Sequence, residues 1–140
     1  MKQSGLRTHE LADAFKKEIR SILEMAVPVW HPGLTLEQSI LIERVQKASL
    51  AAILGHKYNT YEDALKQTGL ERLSIRRQQL CSKFINKNMK SDDPLLKLVT
   101  KVHSTRSNPN CVKEFKCRTK SMYDSSLPYL ARLYNKNLQK

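Results

Sequence analysis

The sequence predicts an all-α protein. Apolar residues recur at steps of three and four over most of the chain, helix-capping chemistry sits at the breaks, and no stretch sustains the alternation of a strand. The pattern gives about five helices in a small bundle. Residues 1–102 read as a helical region, and residues 103–140 as a basic, partly irregular tail with a short final helix. A chain of 140 residues suffices for one domain, and at that size roughly two-thirds of the unfolded surface is buried without help from disulfides.

The first helix is expected over Leu11 to Ala26. Leu11, Phe15, Ile19, Ile22, Leu23 and Ala26 form its apolar face, with Glu10, Asp13, Lys16, Lys17 and Arg20 opposite. Pro28 ends or kinks it, and His31-Pro32-Gly33 reads as a break. Thr35 and Gln38 form a capping box, opening a helix through Ile40, Leu41, Val45, Ala48, Ala52 and Ile53 that Gly55 closes. A short helix within Tyr58–Leu70 is capped by Asn59 or Thr60 and ended by Gly69. Leu73, Leu80, Cys81, Phe84 and Ile85 give the stripe of a third long helix, Leu73 to Met89. Ser91-Asp92-Asp93-Pro94 stops it and starts a short helix through Leu95, Leu98 and Val102. His103–Lys120 shows no period and reads as a basic loop. A final helix starts near Ser125 or Ser126, with Pro128 in its first turn and Leu127, Leu130, Leu133 and Tyr134 facing inward.

The charge is uneven. Lys and Arg number 25 against 13 Asp and Glu, a net of +12, and residues 101–140 alone carry +7. Such a balance points first to nucleic acid and second to an anionic surface. No apolar run is long enough to span a bilayer, and Met1 to Glu10 lacks the apolar core of a secretory leader. With three cysteines, an odd number, free thiols in a reducing intracellular compartment are expected. No compact Lys/Arg run marks a nuclear address, so nucleus and cytoplasm stay open.

Constellations for chemistry are weak. Cys81, His103, Cys111 and Cys117 include no Cys-x-x-Cys pair to seed a zinc site, so no metal or other cofactor is expected. Lys116 and Arg118 beside Cys117 would favour a thiolate, but no motif supplies a base. Asp92-Asp93 suits a helix cap better than a Mg²⁺ centre. No phosphate-cradling glycine loop exists. Trp30 reads as a packing anchor and His31 as a turn residue. In the tail, Lys113, Lys116, Arg118, Lys120 and Arg132 interleave with Phe115, Tyr123, Tyr129 and Tyr134. Cations can neutralise phosphates while aromatic faces stack on bases. Tyr129 and Tyr134 fit the core of the last helix better, whereas the Lys113–Lys120 cluster fits contact.

Ile19-Arg20-Ser21-Ile22-Leu23-Glu24-Met25-Ala26-Val27-Pro28-Val29-Trp30-His31 resembles the segment downstream of the polymerase motifs in non-LTR retrotransposon reverse transcriptases of the Jockey-like kind. The resemblance continues through Ile42-Glu43-Arg44-Val45-Gln46-Lys47, Tyr61-Glu62-Asp63-Ala64-Leu65, Leu80-Cys81-Ser82-Lys83-Phe84 and Leu127-Pro128-Tyr129-Leu130, and so covers nearly the whole chain in order. Met25 departs from it, standing where the family often has Tyr. The family's Tyr/Phe-x-Asp-Asp motif has no counterpart here, nor has its endonuclease. The resemblance therefore implies the part after the palm, a helical thumb and carboxyl-terminal tail that is not an enzyme by itself. Met1 falls where the parent protein runs mid-chain, which implies a truncated element. The implied role is to hold template and primer, as RNA, DNA or their hybrid, by phosphate contacts and without base readout. Arg76, Arg77, Lys83, Lys87, Lys113, Lys116, Arg118 and Lys120 are the residues expected to do this. The alternative is a helical protein-interaction module that self-associates through an apolar face around Leu11, Phe15, Ile19 and Trp30, with no role on nucleic acid or membrane.

Overall fold

The computed structural model describes residues 7–89 and 111–139. The protein is all-α, with no β-strand among the described residues. The helices are α1 (Thr8–Phe15), α2 (Ser21–Glu24), α3 (Val27–Trp30), α4 (Leu36–Leu54), α5 (Tyr61–Thr68), α6 (Leu73–Asn88), α7 (Lys120–Tyr123) and α8 (Ser126–Leu138). A π-helical segment, Lys16–Arg20, joins α1 to α2 without a break, so the described residues make seven helices rather than five. The chain divides into two compact units. One comprises Met1–Met25 and Thr35–Arg76, the other Ala26–Leu34 and Arg77–Lys140. The boundary expected between residues 102 and 103 lies outside the described residues, as do Ser91-Asp92-Asp93-Pro94, the helix expected after it, and His103.

In the first unit, Phe15, Leu50, Leu54, Ala64, Leu65 and Leu70 form the core, with Ile53, Tyr58 and Tyr61 against it. The expected caps are in place. Thr35 Oγ1 accepts the Gln38 N–H at 3.2 Å while Gln38 Oε1 accepts the Thr35 N–H at 2.9 Å. Thr60 Oγ1 accepts the Asp63 N–H at 3.2 Å. Gly69 ends α5 at φ +63°, a left-handed conformation that a side chain would disfavour.

A polar network locks α4 to α5 and to the start of α6. Glu43 accepts the Tyr61 hydroxyl at 2.6 Å, the Leu73 N–H at 3.1 Å and the Ser74 N–H at 3.2 Å. A carboxylate from another helix thus satisfies N–H groups that α6 cannot satisfy itself. Gln46, wholly buried, donates to Tyr61 Oη at 3.0 Å and to the Glu71 carbonyl at 2.9 Å. Burial first, then the Glu43 carboxylate, push the Tyr61 phenol above its ordinary range.

The face expected on the first helix is only half realised. Ala12 and Phe15 are buried, but Ile19 and Ile22 are 42% and 69% exposed. The π segment admits an extra residue, which rotates everything after it relative to a continuous 3.6-residue stripe. The break expected at His31-Pro32-Gly33 is also filled. Ala26 takes a left-handed conformation at φ 51°, α3 follows with Pro28 in its first turn, and His31–Gly33 continues as a 3₁₀ turn. The left-handed turn at a non-glycine residue costs about 1 kcal/mol, which packing of α3 must offset.

The second unit has its own core. Val27, Cys81, Ile85 and Leu130 are buried together, with Trp30, Leu80, Met89, Tyr129, Leu133 and Tyr134 around them. Trp30 is thus a packing residue. Phe84, placed on the stripe from sequence, is 37% exposed.

Candidate nucleic-acid interface

α6 carries four of the eight cations named from sequence, and they have different fates. Arg76 belongs to the first unit, where its Nε donates to Glu24 Oε1 at 3.2 Å. Glu24 is shared with Arg20, at 2.6 Å. Arg77 is a correction: it is 1% exposed. Its position explains why. Leu73, Arg77, Cys81 and Ile85 follow each other at steps of four, so Arg77 lies on the inward stripe, and all four are buried. Its guanidinium does not face solvent and cannot meet a phosphate there. Lys83 and Lys87, one turn apart, are exposed.

Burial shifts the titratable groups around Arg77, and its charge modulates those shifts. Burial first, and then Arg77, lower the pKa of His31 below its ordinary 6.5. Burial pushes the Cys81 thiol up to about 11, with Arg77 opposing. The His31 ring meets Tyr129 edge-on at 5.9 Å. His31 is therefore neutral in the folded state at pH values where an unfolded chain takes up a proton. As pH falls below 6.5, the unfolded state gains that proton first, and stability drops until the folded-state pKa is passed. Urea unfolding followed by the fluorescence of Trp30, the single tryptophan, is expected to show the second unit less stable at pH 5.5 than at pH 7.5. H31Q is expected to flatten that difference. An equal pH response in wild type and variant would exclude His31 as its source.

Residues 111–119 form an arm without helix, as the sequence suggests for this stretch. It is nonetheless anchored. Asn135 on α8 accepts the Val112 N–H through Oδ1 and donates through Nδ2 to the Val112 carbonyl, both at 2.9 Å. The amide of Asn135 thus pairs with the arm's backbone much as a neighbouring strand would. Val112, 2% exposed, packs with Ala131, and Met89, Phe115, Leu127 and Tyr134 close around them. Phe115 and Cys117 are half-buried, whereas Lys113, Lys116, Arg118 and Lys120 are exposed. Lys120 lies not in the loop but in the first turn of α7, whose cap is Thr119, accepting the Met122 N–H at 3.2 Å.

The electrostatics follow from this placement. Lys83, Lys87, Lys113, Lys116, Arg118 and Lys120 make no ion pair with a described carboxylate. The ion pairs among the described residues, Lys16–Asp13, Arg20–Glu24, Arg72–Glu62 and Arg76–Glu24, all belong to the first unit. In the arm and α7, Glu114 and Asp124 are the acidic residues against four exposed cations. A set of free cations on an anchored backbone binds anions without first breaking internal pairs.

Two features escaped the sequence reading. Asn135 has no local signal, because its partner is far away in the chain. Arg132 lies with the basic cluster, but its contact was not foreseen. Its Cζ sits 3.5 Å from the centroid of the Tyr123 ring, and its Nη2 donates to the Tyr123 carbonyl at 2.7 Å. Tyr129 and Tyr134 are partly buried and pack against the core of the second unit.

No group of three or more His, Cys, Asp and Glu able to hold a metal ion occurs among the described residues, and Cys81, Cys111 and Cys117 are free thiols. No described helix is long and apolar enough to cross a membrane. The chain matches no model of a known protein family, no curated protein and no solved structure.

Proposed function

We propose that this protein binds nucleic acid through its phosphate backbone, as the non-catalytic thumb and carboxyl-terminal region of a non-LTR retrotransposon reverse transcriptase would. One observation carries the reading. Six exposed cations of the second unit, Lys83, Lys87, Lys113, Lys116, Arg118 and Lys120, are without carboxylate partners among the described residues, and the arm bearing three of them is pinned by Asn135. Arg77 drops out of the interface by its burial, and Arg76 is engaged by Glu24. Phosphate contacts fix position and carry no base sequence. The protein would then bind template and primer without sequence preference.

The test is binding of the purified chain to a labelled RNA–DNA hybrid across a salt series. Each neutralised phosphate contributes about −0.9 to the slope of log K against log salt, so six cations set a limit of about −5. A slope between about −3 and −5 is expected. A slope near zero, or no binding at low salt by a folded chain, would sink the proposal.

A second reading is favoured by a groove of the first unit, about 320 Å³, lined by Leu11, Ala14, Phe15, Ile19, Ala52 and Ile53 among others. Such an apolar surface supports self-association as a helical interaction module. Sizing in the same salt series separates the two, since apolar association persists at high salt and charge-driven complexes dissolve.

A further inference from the structure

The geometry points to a stacking site for one unpaired nucleobase on the Tyr123 ring, beside the phosphate-binding cations. The inference rests on the nucleic-acid reading above and gives it a ligand class, single-stranded RNA or DNA.

Exposed aromatic rings are few. Among the described Phe, Trp and Tyr residues, Phe84 and Tyr123 are the exposed ones, at 37% and 49%. Only the second is held by a cation. The Arg132 guanidinium lies 3.5 Å from its centroid and is itself fixed by the hydrogen bond to the Tyr123 carbonyl. The guanidinium thus lies over one face of the ring, while Tyr123 as a whole stays 49% exposed. A ring already immobilised loses little freedom when a flat partner settles on it.

The neighbours suit a nucleotide rather than any flat apolar molecule. Lys120 precedes Tyr123 by three positions on α7, a separation of about 5–6 Å between β-carbons in a helix. That is on the order of the distance from a base to its own phosphate. Arg118, also exposed, lies in the arm two residues before Lys120. Bases inside a duplex have both faces occupied, so only an unpaired base, in a single strand or an overhang, offers a face to Tyr123. Aromatic stacking is tolerant of base identity. The site therefore adds affinity for single strands without adding sequence preference.

The experiment compares a short single-stranded oligonucleotide with an abasic oligonucleotide of the same length and charge, at fixed low salt. Wild type is expected to bind the intact strand roughly tenfold more tightly. Y123F is expected to keep that preference, and Y123L to lose it, with the salt slope unchanged in all three proteins. Circular dichroism of the variants checks the fold, and the comparison on wild type needs no variant at all. Salt-dependent binding with equal affinity for the two strands would overturn the stacking site and leave phosphate binding intact. Retention of the preference by Y123L would overturn it as well. Failure of both strands to bind would overturn the stacking site together with the reading it rests on.

Discussion

Replacing Glu43 by alanine is expected to destabilise the first unit by about 3 kcal/mol, the largest loss anticipated for a single polar substitution in this protein. The side chain is an acceptor for three donors at once, the Tyr61 hydroxyl and the N–H groups of Leu73 and Ser74. Losing a helix cap costs about 1 kcal/mol, and losing a hydrogen bond from a part-buried hydroxyl to a charged acceptor costs about 1.5–3 kcal/mol. Gln46 meets Tyr61 and Glu71 through its donating Nε2, and a donor does not replace the lost carboxylate acceptor. E43Q keeps one acceptor oxygen and is expected to lose about half as much. Urea unfolding by circular dichroism measures both, and amide exchange at Leu73 and Ser74 should rise in E43A. A loss below about 0.5 kcal/mol would mean that the network does not hold α6 in place.

The parts of this fold that were legible in the sequence are those set within one turn of chain. Thr35 with Gln38, Thr60 before Tyr61, and Gly69 after Thr68 each fix a helix end through residues three or four apart, and each is where the pattern put it. The parts that were not legible depend on registers or distant partners. The stripe of α6 shows in the sequence through its apolar members, which leaves Arg77 among the cations although it lies four residues from both Leu73 and Cys81. Its place in the step of four was the available signal; the identity of the side chain obscured it. In the first helix, a period of 3.6 cannot announce a π turn. Ile19 and Ile22 therefore turned outward against expectation.

The candidate interface divides in the same way. That the arm is irregular and basic was visible in composition. That it is held in place was not, because Val112 and Asn135 lie on different elements and neither belongs to a motif. The described residues make seven helices against the expected five because α3 and α7, each a single turn, fall below the length at which periodicity is detectable. Both short turns carry residues used elsewhere in the molecule. α3 brings Val27 and Trp30 into the second core, and α7 carries Lys120 and Tyr123.

Reversing Lys113, Lys116, Arg118 and Lys120 together to glutamate is expected to abolish measurable binding of the RNA–DNA hybrid at low salt. The four cations account for about −3.6 of the salt slope if each neutralises one phosphate. At about 0.1 M salt that corresponds to at least three decades of affinity, before any repulsion from the new carboxylates. All four side chains are exposed, while Val112, Phe115 and Asn135, which hold the arm, are untouched. The fold should therefore survive, and circular dichroism checks that it does. Each reversal subtracts two charges, so the net charge falls only from +12 to +4. The variant thus remains a basic protein that keeps Lys83 and Lys87 exposed. Binding retained within tenfold of wild type would show that the positive charge acts diffusely and that the arm is not the contact. Binding lost in a folded, still basic chain would locate it there, because diffuse attraction weakens with net charge whereas direct contacts depend on where each cation sits.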